Sequence, residues 1–131
     1  MCSRRSSNCG CRPLKVTVRT PMKAISPRPI QADEVAVLEA ALLGAPPGSI
    51  SPDWVADLRS LIVVGICECG CRSLYFSPTG AKDRPIATSV GRTPSGKFVE
   101  VMIWVAADRV SALDIVDYES SGELPAVDTI R

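Results

Sequence analysis

The sequence predicts an α+β fold, in which two N-terminal helices pack on a mainly antiparallel sheet of four or five strands. Apolar residues recur at helical spacing between residues 31 and 58, and their period changes to two from Leu61 onward. The chain has 131 residues, within the usual size of one domain. We therefore expect one α+β domain over residues 30–131, preceded by a disordered or non-native tail over residues 1–29.

The tail prediction depends on the composition of the first residues. Residues 1–21 contain arginine and lysine but no acidic residue, and the proline-rich stretch 21–29 that follows is expected to break any regular element. Two interpretations stay open for residues 1–21. These residues form a disordered basic tail, or they are upstream sequence that precedes the true start codon, since Met22 could itself be the first residue of the protein. In neither case do we assign a function to Cys2, Cys9 or Cys11.

The first helix is predicted over residues 31–43. Val35, Leu38 and Leu42 have helical spacing there, and acidic residues occupy the first turn, where the helix dipole favours them. Gly44 ends the helix.

A second, short helix is predicted to begin at Ser51. Serine is a preferred N-cap, and Pro52 follows at the first helical position, where proline is tolerated. Trp54, Val55 and Leu58 form its apolar face.

The strands are predicted from runs of β-branched and apolar residues with a period of two. The clearest is 97–106, which places Phe98 and Trp104 on one face and Val99 and Ile103 on the other. A two-residue hairpin loop, Ala107-Asp108, follows it. The segment from Leu124-Pro125 onward is expected to lie along the sheet edge. The predicted strands are 61–66, 74–76, 85–90, 97–106 and 109–118.

Composition excludes several functions. The net charge is +1, so no strong field attracts nucleic acid or an anionic membrane, and no apolar run approaches the roughly 20 residues of a transmembrane helix. No secretory signal is recognisable near Met1, so we expect a cytoplasmic location, where cysteines remain thiols or bind metal. The sequence contains no histidine, which removes Ser-His-Asp catalysis and imidazole-based zinc sites. We expect a protein that is not an enzyme and has no cofactor.

The most informative motif is Cys67-Glu68-Cys69-Gly70-Cys71. In an extended strand, alternate residues point to one face, so the three thiols would form a row with neighbouring Cα atoms roughly 6.5–7 Å apart. Such a row could ligate zinc or copper, although a structural zinc site usually has four ligands. The alternatives are packing of small apolar side chains, and a reactive or redox thiol next to Arg72.

Two other motifs have simpler interpretations. Residues 91–97 match a P-loop through Lys97, but Phe98 replaces the required Ser or Thr and a strand follows instead of a helix, so we predict a hairpin turn. The carboxylates Asp108, Asp114, Asp117 and Glu119 could include an acid–base pair, but on a half-exposed antiparallel strand they are more often solvated. We predict no catalytic role for them.

The second half of the chain resembles a group of small, uncharacterised bacterial proteins with a domain of unknown function. The resemblance rests on residues 66–76, with their Cys-x-Cys-Gly-Cys-x-Ser pattern, on the strand pair formed by 101–105 and 109–115, and on Leu124-Pro125. It differs at Ala107-Asp108, where an Asp-Gly-like turn is expected. By analogy of size and architecture, the resemblance implies an immunity-like or accessory protein that binds another protein.

Two functional hypotheses follow. The first is a non-enzymatic interaction domain that binds another protein or a second copy of itself, because strand 97–106 is apolar on both faces and the helices cover only one. The alternative is a small thiolate site for zinc or copper at Cys67, Cys69 and Cys71.

Overall fold

The computed structural model describes residues 22–119 and 121–131, and it confirms the α+β class. Two short 3₁₀ turns, Leu58–Ser60 and Val127–Thr129, accompany the regular elements. In chain order the elements are β1 (Met22–Pro29), α1 (Ala32–Leu43), α2 (Pro52–Asp57), β2 (Ile62–Cys67), β3 (Leu74–Tyr75), β4 (Arg84–Arg92), β5 (Phe98–Ala106) and β6 (Arg109–Val116).

The strands form one sheet with the order β1-β2-β3-β6-β5-β4, in which every neighbouring pair is antiparallel. Within the described part of the chain the sheet has six strands, so the predicted count of four or five is too low. β3 contributes two residues, and among the strands of residues 22–119 it is the one that lies between the β1–β2 pair and the β6–β5–β4 ribbon.

The strand missing from the prediction is β1. Residues 22–29 were expected to belong to a tail because Pro27 and Pro29 interrupt them, yet Met22 pairs with Cys67 and Pro29 with Ile62. β1 lies at the edge of the sheet, and its pairing is irregular between Ala24 and Arg28. Edge strands and bulges tolerate proline because the missing N–H is not needed by a second neighbour. The remainder of the predicted tail, residues 1–21, lies outside the described residues.

The main core lies between α1 and the β4–β5 part of the sheet. Val37 and Leu38 of α1 are buried in one cluster with Val99, Val101 and Ile103 of β5. Full burial of each such side chain stabilises the fold by about 1.5–3 kcal/mol. Both helices match their predicted positions, and no helix among the described residues is long and apolar enough to cross a membrane.

The β5–β6 hairpin has the predicted two-residue loop. Ala107 and Asp108 both adopt positive φ angles, 52° and 61°, as the tight turns preferred between twisted strands require. The indole Nε1–H of Trp54 donates to the carbonyl oxygen of Asp108 at 3.1 Å, and this bond attaches α2 to the hairpin.

The C-terminal residues run along the outer edge of β4, as predicted. Val90 and Arg131 exchange backbone hydrogen bonds of 3.2 and 2.9 Å, and Ala126 N–H donates to Arg92 oxygen at 2.8 Å. These bonds satisfy backbone groups of an edge strand that would otherwise be open to pairing with other chains.

Candidate metal centre

The three cysteines lie on the connection between β2 and β3. β2 ends at Cys67, and the chain then turns: Gly70 N–H donates to Cys67 oxygen at 3.3 Å, and Gly70 has a φ of 92°. Glycine suits this position because side-chain-bearing residues rarely adopt such an angle. The predicted extended row of thiols is therefore wrong, since only Cys67 belongs to a strand. We call residues 67–73 the cysteine turn.

The turn brings the thiols closer together than an extended strand would. The Sγ atoms of Cys67, Cys69 and Cys71 all lie within 4.8 Å of one another, and those of Cys67 and Cys69 are 2.9 Å apart. A tetrahedral zinc site with Zn–S bonds of about 2.3 Å has sulfur–sulfur edges of about 3.8 Å. The three sulfur atoms are thus close enough to share one ion, but Cys67 Sγ and Cys69 Sγ would have to separate by about 1 Å to reach that edge length.

Backbone donors point at two of these sulfur atoms. Cys69 N–H donates to Cys67 Sγ at 3.4 Å, and Cys71 N–H donates to Cys69 Sγ at 3.4 Å. Such donors suit sulfur atoms that carry negative charge, which is the form that binds metal. Cys67 is buried, Cys71 is half-buried and Cys69 is exposed, so the cluster has a closed side and a side open to solvent.

Ser73 fixes the far end of the cysteine turn. Its Oγ accepts a hydrogen bond from Ile115 N–H at 2.9 Å, and Cys71 Sγ lies 3.1 Å from the same oxygen. The side chain is completely buried. Ser73 is therefore held by β6 and in turn orients the Cys71 thiol. Residues that hydrogen-bond a metal ligand commonly have this role.

A buried carboxylate of α1 contacts the cysteine turn at Arg72. Glu34 of α1 is 1% exposed, and the Arg28 guanidinium binds both of its oxygens at 3.0 and 2.8 Å. Arg72 of the cysteine turn lies 3.9 Å from the same carboxylate. Burial raises the pKa of Glu34, but hydrogen bonds from Arg28 and Gln31 N–H and the charges of Arg28 and Arg72 outweigh it, and the pKa falls below its ordinary value of 4.5.

The sequence prediction identified the three cysteines but missed Ser73, Arg28 and Glu34 as their supports. Ser73 had a signal, since it belongs to the Cys-x-Cys-Gly-Cys-x-Ser pattern. Glu34 had a weaker sequence signal, because it is an acidic residue in the first turn of a predicted helix. Arg28 had none, because it lies in the stretch that prolines excluded from the predicted sheet.

Three of the four carboxylates considered for catalysis have partners, and these partners are different. Asp114 is buried and binds Lys82 Nζ at 3.0 and 2.9 Å. Asp117 accepts hydrogen bonds from Ser121 and Gly122, and Glu119 forms an ion pair with Lys97. Asp108 belongs to the β5–β6 turn. Among residues 22–119 and 121–131, no two of these carboxylates share a hydrogen-bond or ion-pair partner.

The P-loop-like segment forms the predicted hairpin turn between β4 and β5. Thr93 N–H donates to Lys97 oxygen and Gly96 N–H donates to Thr93 oxygen, both at 2.8 Å. Gly96 has a φ of 90°, which glycine adopts without strain. The segment leads into β5 and not into a helix, so it lacks the helix N-terminus that binds phosphate.

The sheet face that the helices leave open is partly covered by the segment before β4. Lys82 from this segment binds Asp114, lies 5.1 Å from the Tyr75 ring centre and lies 5.7 Å from that of Trp104. Trp104 Nε1–H donates to Asp114 at 3.0 Å. One end of this face is thus covered from within the molecule.

Comparison of the chain with protein-family models, with curated proteins and with solved structures gives no match. The resemblance to the small bacterial proteins therefore stays a prediction. The case for any function rests on the geometry of the chain itself.

Proposed function

We propose that this protein binds a thiophilic metal ion, Zn²⁺ or Cu⁺, through Cys67, Cys69 and Cys71. The observation that supports the proposal is the approach of three Sγ atoms to within 4.8 Å at a turn whose backbone donors point at sulfur. Thiolate ligands favour these soft or borderline ions over magnesium or calcium.

The three thiolates suffice for trigonal copper, and a tetrahedral zinc ion needs one ligand more. The sequence contains no histidine, so the fourth ligand is a water molecule, a further cysteine or an oxygen ligand. Exposed Cys69 leaves an open path for the ion, while Ser73 and Arg72 hold the turn on both sides. Binding would fasten the connection between β2 and β3 and so stabilise the fold.

Elemental analysis of protein purified without chelator tests the proposal. We expect about one equivalent of zinc or copper, and Cys69→Ser is expected to lower both metal content and melting temperature, because metal affinity adds to folding free energy. Glu68→Gln is the matched control, since it changes the same turn without removing a sulfur ligand. Less than about a tenth of an equivalent in protein reconstituted with either ion would contradict metal binding.

A second candidate function is self-association through the open sheet face. Val90 of β4 and Phe98 of β5 are 38% and 36% exposed. Because Val90 pairs with Glu100 and Arg92 with Phe98, the two apolar residues are diagonal neighbours on one face. A net charge of only +1 gives copies of the chain little mutual repulsion. We propose a second copy as the partner of this patch.

Sedimentation analysis tests self-association. We expect a concentration-dependent dimer that Phe98→Lys abolishes, because the substitution introduces like charges where the two copies meet. Leu43→Lys is the matched control, since Leu43 is 88% exposed but lies at the end of α1. A monomer at all micromolar concentrations would contradict the proposal.

A further inference from the structure

A cavity of about 320 Å³ lies between α2, the β5–β6 hairpin and the segment that follows β3. Its walls include the aromatic side chains of Trp54 and Phe76, the charged residues Asp57 and Arg109, and Ser111. The volume is at the lower end of the range of small-molecule sites, which are usually largely apolar with a few polar groups that fix orientation. The cavity is separate from the cysteine turn and shares no lining residue with it.

Ser111 occupies an irregular position in the sheet. Trp104 pairs with Ala112 and Val105 pairs with Val110, so Ser111 is an extra residue on β6 without a partner on β5. Such bulges occur often next to functional sites, where they redirect a side chain. The backbone at this point remains satisfied, since Ser111 oxygen accepts a hydrogen bond from Phe76 N–H at 2.8 Å.

The side chain of Ser111 is buried. The residue is 2% exposed, and its Oγ has no hydrogen-bond partner among the described residues. A buried hydroxyl without a partner costs folding free energy, and buried polar groups in proteins are normally satisfied. Ser111 is a lining residue of the cavity, but its Oγ itself exposes less than 1 Å², so a ligand would supply the missing hydrogen bond once the side chain rotates toward the cavity.

Two charges of opposite sign line the same cavity. Within residues 22–119 and 121–131, neither Arg109 nor Asp57 forms an ion pair. Both side chains are exposed, so solvent and a ligand can compete for them. The guanidinium of Arg109 suits a carboxylate, and Arg109 and Ser111 come from the same strand, only two residues apart.

We propose that this cavity binds a small zwitterion of the α-amino acid class with an apolar side chain. The ligand carboxylate accepts hydrogen bonds from Arg109 and from the Ser111 hydroxyl. The ammonium group lies beside Asp57, and the side chain packs against Trp54 and Phe76. A ligand with both charges offers a partner to both residues, whereas a simple anion or cation offers a partner to only one of them.

Three probes that share a phenyl ring test whether the ligand needs both an ammonium and a carboxylate group. They are L-phenylalanine, phenylacetate, which lacks the ammonium group, and phenethylamine, which lacks the carboxylate. Amide chemical shifts of residues 57–62 and 106–111 are followed during titration of the full chain. We expect saturable shifts with L-phenylalanine at a Kd on the order of 1 mM or below, and at least about tenfold weaker binding of the other two.

Two variants and a control locate the binding. Ser111→Ala and Arg109→Gln are each expected to weaken L-phenylalanine binding by about tenfold or more, because each removes a hydrogen bond to a charged group. Arg59→Gln changes an exposed arginine that does not line the cavity, and it should leave binding unchanged.

Three results would overturn the proposal. The first is the absence of saturable shifts with both L-phenylalanine and L-leucine. The second is binding of phenylacetate or phenethylamine as tight as that of L-phenylalanine. The third is unchanged L-phenylalanine binding in Ser111→Ala. None of these outcomes depends on whether the cysteine turn holds a metal ion.

Discussion

The cysteine turn and the cavity each contain one buried serine, and the two serines differ in a single respect. Ser73 is fully buried and its Oγ contacts Ile115 N–H and Cys71 Sγ, whereas Ser111 is equally buried and its Oγ contacts no hydrogen-bond partner among the described residues. Burial alone therefore does not separate a structural hydroxyl from a binding one. The partners do, because a satisfied hydroxyl holds its neighbours in place, and an unsatisfied one retains a hydrogen bond that a ligand could accept or donate once the side chain turns toward it.

The largest expected effect comes from the charged support of the cysteine turn. Arg28→Gln leaves the buried Glu34 carboxylate with the Gln31 N–H and the more distant Arg72 as its partners, and we expect a loss of up to about 3 kcal/mol in the free energy of unfolding. Arg59→Gln breaks an exposed Arg–Glu pair and should cost less than about 1 kcal/mol. Urea unfolding of both variants measures the difference. Equal losses would mean that the Arg28–Glu34 pair contributes no more than a surface contact.

The serine comparison gives the next largest effect. Ser73→Ala deprives a buried N–H of its acceptor, and we expect a loss of about 1–3 kcal/mol. Ser111→Ala removes a hydroxyl that makes no hydrogen bond to any residue the structure describes, so stability without ligand should change by less than about 0.5 kcal/mol or rise slightly. Thermal unfolding of the two variants side by side checks this. A large loss in Ser111→Ala would show that its hydroxyl has a structural partner, and the comparison would fail.

The pH dependence of stability should follow Glu34. Its pKa in the folded protein is below the ordinary value of 4.5, so the carboxylate contributes stability above that pH. The contribution is lost as the pH falls through the folded-state pKa. Urea unfolding between neutral and acid pH should show a decline below about pH 4.5 that is smaller in Arg28→Gln. A decline of the same size in the variant would assign it to other carboxylates.

The smallest expected effect concerns residues 1–21. A chain that starts at Met22 keeps all of β1, and without metal its free energy of unfolding should match the full chain within about 0.5 kcal/mol. Repeating the measurement with added zinc tests the alternative that Cys9 or Cys11 completes the metal site. A zinc-dependent stabilisation present only in the full chain would establish that these residues contribute ligands.

Local patterns predicted most of the fold. The apolar period located both helices and β2 to β6, and the Ala107-Asp108 turn was predicted from the strands on either side of it. β1 was missed because proline is a strong local signal against strands, and the exception at sheet edges depends on a neighbour that the sequence does not show. The sequence does not show that β1 lies at the edge of the sheet, with a neighbouring strand on one side.

The candidate sites were predictable only where their residues are close in sequence. Cys67, Cys69 and Cys71 form a visible motif, although the turn at Gly70 replaces the expected extended row. The cavity brings Asp57 and Arg109 together from distant positions, and the role of Ser111 depends on a bulge in strand pairing. A bulge is set by the register between two strands, so no pattern within β6 alone reveals it.

The two-residue strand β3 also has a consequence for local unfolding. Proteins open in cooperative units, and a unit separates most easily where few backbone hydrogen bonds connect it to the rest. In the described sheet the β1–β2 pair is hydrogen-bonded to the other strands through β3 alone, so hydrogen exchange is expected to release these two strands before β4, β5 and β6. The cysteine turn lies at this junction between β2 and β3. An ion bound there would slow the separation of the β1–β2 pair from the other strands, and the hydrogen exchange of these strands would slow with it.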